Sequence, residues 1–170
     1  MHKMYSLNVG CGGRPMGSID GLRCINLDNR LLQEADQYRN GNYIFMPGDV
    51  RCLPFKDNMF GAILASDIIE HFPIAETEKI LKEWRRVLKA GCAIEFRLPN
   101  LETICKEYLR HKDAKYTSWL LYGGQDYPGN FHYVCFDHKF FKQTVEFVGF
   151  KEVYFKEEGN KFEIKFLKTK

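Results

Sequence analysis

The chain has little that would staple, anchor or charge it. Its six cysteines (Cys11, Cys24, Cys52, Cys92, Cys105 and Cys135) form no CxxC pair and meet no histidine at finger spacing. That excludes a zinc ribbon or a disulfide framework, so no metal site is expected and the cysteines are read as small buried hydrophobes in a reducing compartment. The longest apolar stretches, such as Phe60 to Ala65, are far too short to cross a bilayer, and "MHKMYSLNVG" lacks the apolar core and cleavage site of a signal peptide. A net charge of +3 is too small to point to nucleic acid. The lysines of 151–170 alternate with glutamates, the pattern of a solvated strand face. These absences leave a soluble, cytoplasmic protein with no membrane partner. At 170 residues it is expected to form one domain that buries roughly 70% of its unfolded surface.

What is present is an alternation of strand and helix signals. Tyr5 to Val9 reads as a strand running into the glycines of "LNVGCGG", Arg23 to Leu27 as a second, and Tyr43 to Met46 as a third. "FGAILAS" (60–66) has the continuous apolar character of a parallel strand covered on both faces. A helix over about Ala75 to Ala90 lines up Ile80, Leu81, Trp84, Val87 and Leu88, with Gly91 as its stop. "CAIEFRLP" (92–99) is the next strand. Asn100 then caps a helix whose buried face is expected to carry Leu101, Ile104, Cys105, Tyr108 and Leu109.

Residues 113–136, "DAKYTSWLLYGGQDYPGNFHYVCF", have no clean period and read as an irregular, aromatic, substrate-side loop. Asp137 caps a last helix with Phe140, Phe141, Thr144, Phe147 and Val148 inward, closed by Gly149. Two strands, about Phe150 to Lys156 and Lys161 to Leu167, turn at Gly159-Asn160 as an antiparallel hairpin. The fold class is therefore α/β, a Rossmann-like three-layer sandwich with a mostly parallel sheet, a C-terminal antiparallel hairpin and a first helix reduced or absent.

In such a sheet ligands sit at the carboxyl ends of the strands, near the point where strand order reverses. Gly10 and Gly12 would let backbone amides approach a ligand there, and Asp28 ends the second strand where a carboxylate can accept from both hydroxyls of a ribose. A nucleoside-containing cofactor is thus the first hypothesis. A dinucleotide fingerprint from Gly10 would need glycine at 15, where Pro15 stands, and Pro15, Gly17 and Gly21 leave no room for a full helix before Asp28. A pyrophosphate would lack its helix N-terminus. This disfavours a nicotinamide oxidoreductase and favours a ligand that carries an amino-acid group and a sulfonium.

The ordered set "LNVGCGG", "INLD", "GDVRCLPF", "FGAILASDIIEHF", "EWRRVLKAGCAIEFRLPN" and a closing "VGF" before a hairpin resembles the class I S-adenosylmethionine-dependent methyltransferases. More narrowly, "YGGQDYPGNFHYVCF" is similar to a compact, type 11-like branch with a GGQ segment and a downstream histidine. The resemblance implies S-adenosylmethionine as the cofactor. Gly10, Cys11 and Gly12 would line its methionine part, Asp28 with Asn29 beside it the ribose, and Asp49 and Val50 the adenine. Ser66 and Asp67 would border the methyl-donor side. The chain departs from the pattern at Asn8, where an acidic residue often precedes the first glycine.

Methyl transfer to a hydroxyl needs a proton removed, a task that suits histidine. His132, in the irregular segment, and His71, in "SDIIEHF", are the candidate catalytic residues, with Asp67 and Glu70 placed either to orient a ring or to cap the next turn. The aromatics of 116–133 either stack on a sugar or planar acceptor or form an ordinary secondary core. The expected acceptor is a small molecule or a glycan; nucleic acid is disfavoured, and a homodimer is left open. The rival is a non-catalytic cofactor-binding or partner-regulating domain of the same fold.

Overall fold

The computed structural model describes residues 4–30 and 43–170. Among the described residues eight strands form one mixed sheet. They are β1 (Tyr5–Val9), β2 (Ser18–Ile19), β3 (Leu22–Asp28), β4 (Ile44–Pro47), β5 (Phe60–Ser66), β6 (Leu88–Pro99), β7 (Phe150–Glu158) and β8 (Lys161–Lys168). Their order is β2-β3-β1-β5-β6-β8-β7, with β4 also beside β3. Pairing is parallel from β4 through β3, β1 and β5 to β6, and antiparallel for β2 on β3 and for the β8–β7 hairpin. Strand order reverses at β1, so the carboxyl ends of β1 and β5 flank the crevice where this architecture holds ligands.

No helix separates β1 from β3; β2 and a loop stand in its place. That loop is held by two buried amides. The Asn8 side chain donates to Asn26 Oδ1 and to the Arg14 carbonyl, while Asn26 donates to the carbonyls of Met16 and Ile44 and accepts from the Met16 amide. Asn8 is therefore spent on the loop.

Helix α1 (Ile74–Val87) buries Ile80, Leu81, Trp84 and Val87, as its period requires. It ends three residues earlier than the sequence pattern implies, because Leu88 is already extended and pairs with Phe60. Gly91 lies inside β6 with φ +73°. Helix α4 (His138–Phe147) is capped by Asp137, which accepts from the Phe140 amide. Trp84 of α1 stacks on Phe96 of β6, which meets Phe141 of α4 edge-on, so both helices cover one face of the sheet.

Several expectations need correction. The 113–136 segment is helical over α3 (Ala114–Tyr122), because Asp113 accepts from the Tyr116 amide as an N-cap and its carbonyl takes the Thr117 hydroxyl. Helix α2 (Leu101–His111) has its Asn100 cap but buries Ile104 alone; Leu109 is 65% exposed, since no described element covers that stripe. Phe140 and Phe147 are likewise exposed. Only Cys11 and Cys24 are buried among the six cysteines, and Cys52 and Cys105 are exposed. In the tail Lys168 is buried, donating to the Leu88 carbonyl and to Asn58.

Candidate functional site

The chain leaves β1 at Gly10, whose φ is +63° and whose missing Cβ would lie 2.5 Å from Ile68 Cδ1. Only glycine fits both the backbone and the neighbour. The amides of this turn point inward: Gly10 and Cys11 both donate to the Leu27 carbonyl, and Gly12 donates to Asp28 Oδ2 at 2.8 Å. They are therefore not the ligand donors the sequence suggested. The turn's contribution is a fixed backbone that borders an open space.

That space is a cavity of about 900 Å³. It is bounded by the 10–14 turn, Asp28 to Arg30, Ser66 to Ile68 and His71, and on the far side by Trp119, the 123–130 loop, His132 and Lys161. A smaller side pocket behind Gly10 and Asp28 runs between Asn29, Asp49, Val50 and Phe72. All nine residues assigned to cofactor binding thus border one connected region: Gly10, Cys11, Gly12, Asp28, Asn29, Ser66 and Asp67 line the large cavity, and Asp49 and Val50 line the side pocket.

Asp28 is buried where the two pockets meet. Its Oδ2 accepts from Gly12 and its Oδ1 from the Arg30 amide, so each oxygen keeps a lone pair for a further donor. Asp49 lies against Arg51 in a two-pronged ion pair, which holds its carboxyl below the usual range.

The far side of the cavity is built from segments distant in sequence. β5 ends at Ser66, and Asp67, at φ +53°, turns the chain into a 3₁₀ turn, Ile69–His71. Gly123 (φ +79°) follows α3, and a Cβ there would lie 2.5 Å from the Asn130 carbonyl oxygen. Asn130 closes the loop, its carbonyl accepting from Gln125 and its side chain donating to Asp126. This "GGQDYPGN" turn delivers His132 against His71, with ring centroids 4.8 Å apart and the rings edge to face.

Neither ring is oriented by Asp67 or Glu70, contrary to expectation. His71 Nδ1 donates to the Phe131 carbonyl at 3.1 Å and His132 Nδ1 to the Leu120 carbonyl at 3.0 Å. A carbonyl only accepts, so both protons sit on Nδ1 and both Nε2 atoms carry free lone pairs. Burial, aided for His71 by the neighbouring His132, lowers both histidines below their usual pKa. Glu70 is 1% exposed, and burial, then the Asp67 charge, pushes its carboxyl up to about 8.

Three cations escaped the sequence reading. Lys161 reaches Asp67 at 2.6 Å, Arg14 approaches the same carboxylate at 3.5 Å, and Arg30 lies 4.3 Å from the centroid of Tyr127. The lysine–glutamate alternation of 151–170 predicts a solvated strand face for Lys161; the β6–β8 pairing turns it into the cavity instead. No local motif announces such a residue.

Residues 7–96 match the methyltransferase domain family. The chain belongs to the class I S-adenosylmethionine-dependent methyltransferases. A sterol 24-C-methyltransferase from Gibberella zeae is 33% identical over 99 residues, which cover 52% of this chain and 26% of the relative. The chain thus spans about a quarter of the length of that curated relative. A SAM-dependent methyltransferase from Methanosarcina mazei has the same fold at 20% identity, with a TM-score of 0.73 over 99% of this chain and 94% of its own. The PH0226 protein of Pyrococcus horikoshii gives 0.70 at 20% identity, over 97% and 82% respectively. The cofactor of this family is S-adenosylmethionine, and the residues present fit it: a glycine turn without a Cβ, a buried carboxylate with lone pairs to spare, and an apolar wall at Val50.

Proposed function

We propose that this methyltransferase domain transfers a methyl group from S-adenosylmethionine to a hydroxyl of a small-molecule or glycan acceptor. The observation that carries the reading is Asp28, a buried carboxylate with one lone pair left on each oxygen, at the junction of two pockets below the glycine turn. Asp28 and Asn29 hold the ribose, Asp49 and Val50 border the adenine, and Gly10, Cys11, Gly12, Ser66 and Asp67 surround the methionine part. S-adenosylmethionine supplies an electrophilic methyl carbon on a sulfonium.

This chain's own residues position the acceptor opposite that carbon, and positioning is the larger part of catalysis for an in-line displacement. Trp119 and Tyr127 offer aromatic faces on which a sugar or ring stacks. His132 and His71 present their free Nε2 atoms to the acceptor hydroxyl, the geometry required to draw off its proton. A cavity of about 900 Å³ is near the top of the roughly 300–1,000 Å³ range of small-ligand sites, enough for a cofactor and a modest acceptor together.

Calorimetric titration with S-adenosylmethionine, S-adenosylhomocysteine and NADH tests the cofactor half. Binding of the first two with NADH silent is expected, and silence from all three would sink the assignment. A screen of hydroxyl acceptors for S-adenosylhomocysteine release tests the second half. Binding without release from any acceptor would favour a non-catalytic cofactor-binding domain.

A further inference from the structure

Glu70 presents a problem that its surroundings do not solve. Its carboxylate is almost fully buried, and neither oxygen has a hydrogen-bond partner among the described residues. The nearby cation, Lys161, is already held by Asp67 at 2.6 Å. A proton would not settle the matter, because the resulting hydroxyl would still need an acceptor and the second oxygen a donor. The group is therefore short of a positively charged or strongly donating partner.

Two further ligand atoms face the same point. One atom each from Glu70, His71 and His132 lie within 4.8 Å of one another. Both histidines donate Nδ1–H to backbone carbonyls, which is how metal-binding imidazoles are usually oriented, and so leave Nε2 as the ligand atom. The frame is braced as well: the Tyr133 amide donates to the Glu70 carbonyl at 2.8 Å and the His132 amide to the Tyr122 carbonyl at 3.0 Å. Ligand atoms around one tetrahedral ion stand about 3–3.5 Å apart, so occupancy requires the widest pair, within 4.8 Å, to close by up to about 1.3–1.8 Å.

We infer that Glu70, His71 and His132 form a binding site for a divalent first-row transition-metal cation, open toward the acceptor side of the cavity. Two imidazoles and one carboxylate suit zinc, cobalt, iron or manganese, and three protein ligands leave a position for an exogenous oxygen. Its use in turnover rests on the methyl-transfer reading. With a cation bound, the Nε2 atoms of His71 and His132 would be its ligands instead of the bases proposed above, and the acceptor hydroxyl would take the open position with its acidity raised. Its proton leaves to solvent, the oxygen lone pair forms the C–O bond, and the C–S bond breaks, its electron pair neutralising the sulfonium as S-adenosylhomocysteine departs. Sequence alone singles out His71, His132 and Glu70 but not as one ligand set, because the two histidines come from distant segments and share no motif spacing.

The test uses untagged full-length protein stripped with chelator, then titrated with Co²⁺, Zn²⁺ and Mn²⁺ by calorimetry, with visible absorption followed for cobalt. One cation per chain is expected for at least one metal, with cobalt d–d bands from an imidazole-containing site. His132→Ala and His71→Ala should each weaken binding at least about tenfold, and the surface variant His138→Ala should not. No saturable binding to the wild-type protein, or binding indifferent to both substitutions, would overturn the site. S-adenosylmethionine titrated into the same stripped sample separates the two failures. Cofactor binding without metal binding removes only this inference, and metal binding without cofactor binding removes the methyltransferase reading while leaving the site.

Discussion

The two halves of the cavity are built on opposite principles. On the cofactor side the polar groups come from the ends of adjacent strands and each already has a partner that fixes it: Gly12 and Arg30 amides on Asp28, Leu27 taking two amides, Arg51 on Asp49. On the far side His71, Glu70, His132 and Lys161 come from a 3₁₀ turn, a glycine loop and a hairpin, and buried oxygens of Asp67 and Glu70 have no hydrogen-bond partner among the described residues. A carboxylate so fixed is rigid and suited to holding a ligand. An unpaired buried one has lost its hydration without compensation, so a donor or cation that binds there restores the missing interaction.

Substitutions should separate the halves. The largest effect is expected for His132→Ala: turnover falls by about 10²–10⁴-fold while S-adenosylmethionine affinity, followed by calorimetry, stays level. A parallel loss of cofactor binding would mean the halves are not independent. Next comes Gly123→Ala, which keeps every functional group but places a Cβ against the Asn130 carbonyl at a left-handed φ. Shifting His132 by about an ångström should lower turnover by about a hundredfold. Normal turnover in this variant would show that the loop's shape does not set the site.

Asp28→Ala acts on the other half, lowering cofactor affinity by about 1–3 kcal/mol because the ribose hydroxyls lose a charged acceptor. Unchanged affinity would remove the ribose from this position. The smallest effect concerns the segment that carries Asp49 and Val50. Arg86 ties it down by donating to the carbonyls of Leu53 and Phe55, and Glu83 holds Arg86 while accepting from the Leu53 amide. The Arg86 hydrogen bonds lower the Glu83 pKa, so its contribution is complete above the unfolded carboxylate value and is lost as pH falls through the lower folded one. With both groups partly exposed, Glu83→Gln should cost about 1 kcal/mol or less at pH 7. The gap in melting temperature between wild type and variant should close on acidification below about pH 4.

How much of this was legible in the sequence depended on whether one residue's neighbours or its distant partners decided its role. Strand ends are local, so Gly10, Asp28 and Ser66 could be placed from the chain alone. The α1 stripe was legible for the same reason, and Leu88 shows why its end was not: the residue lies inside whether the helix continues or a strand begins. Helix α3 was hidden by its aromatics and the glycines after it, although Asp113 stood at the cap. The α2 stripe has the right period yet stays exposed, because amphipathicity states a preference for cover and not its presence. Lys161 and the Glu70 cluster are products of sheet register and loop packing, which no window of sequence contains.

Arg30 joins the two halves. Its amide holds Asp28 Oδ1, its guanidinium lies 3.8 Å from the same carboxylate, and the face of Tyr127 in the acceptor loop lies against it. A ligand that settles on Asp28 redistributes this residue's contacts, and a loop that rearranges around an acceptor pulls on it from the other side. Thermodynamic reciprocity then makes each binding event a modulator of the other by the same factor. On the methyl-transfer reading, cofactor and acceptor are therefore coupled through one arginine, and this coupling sets no order in which they bind.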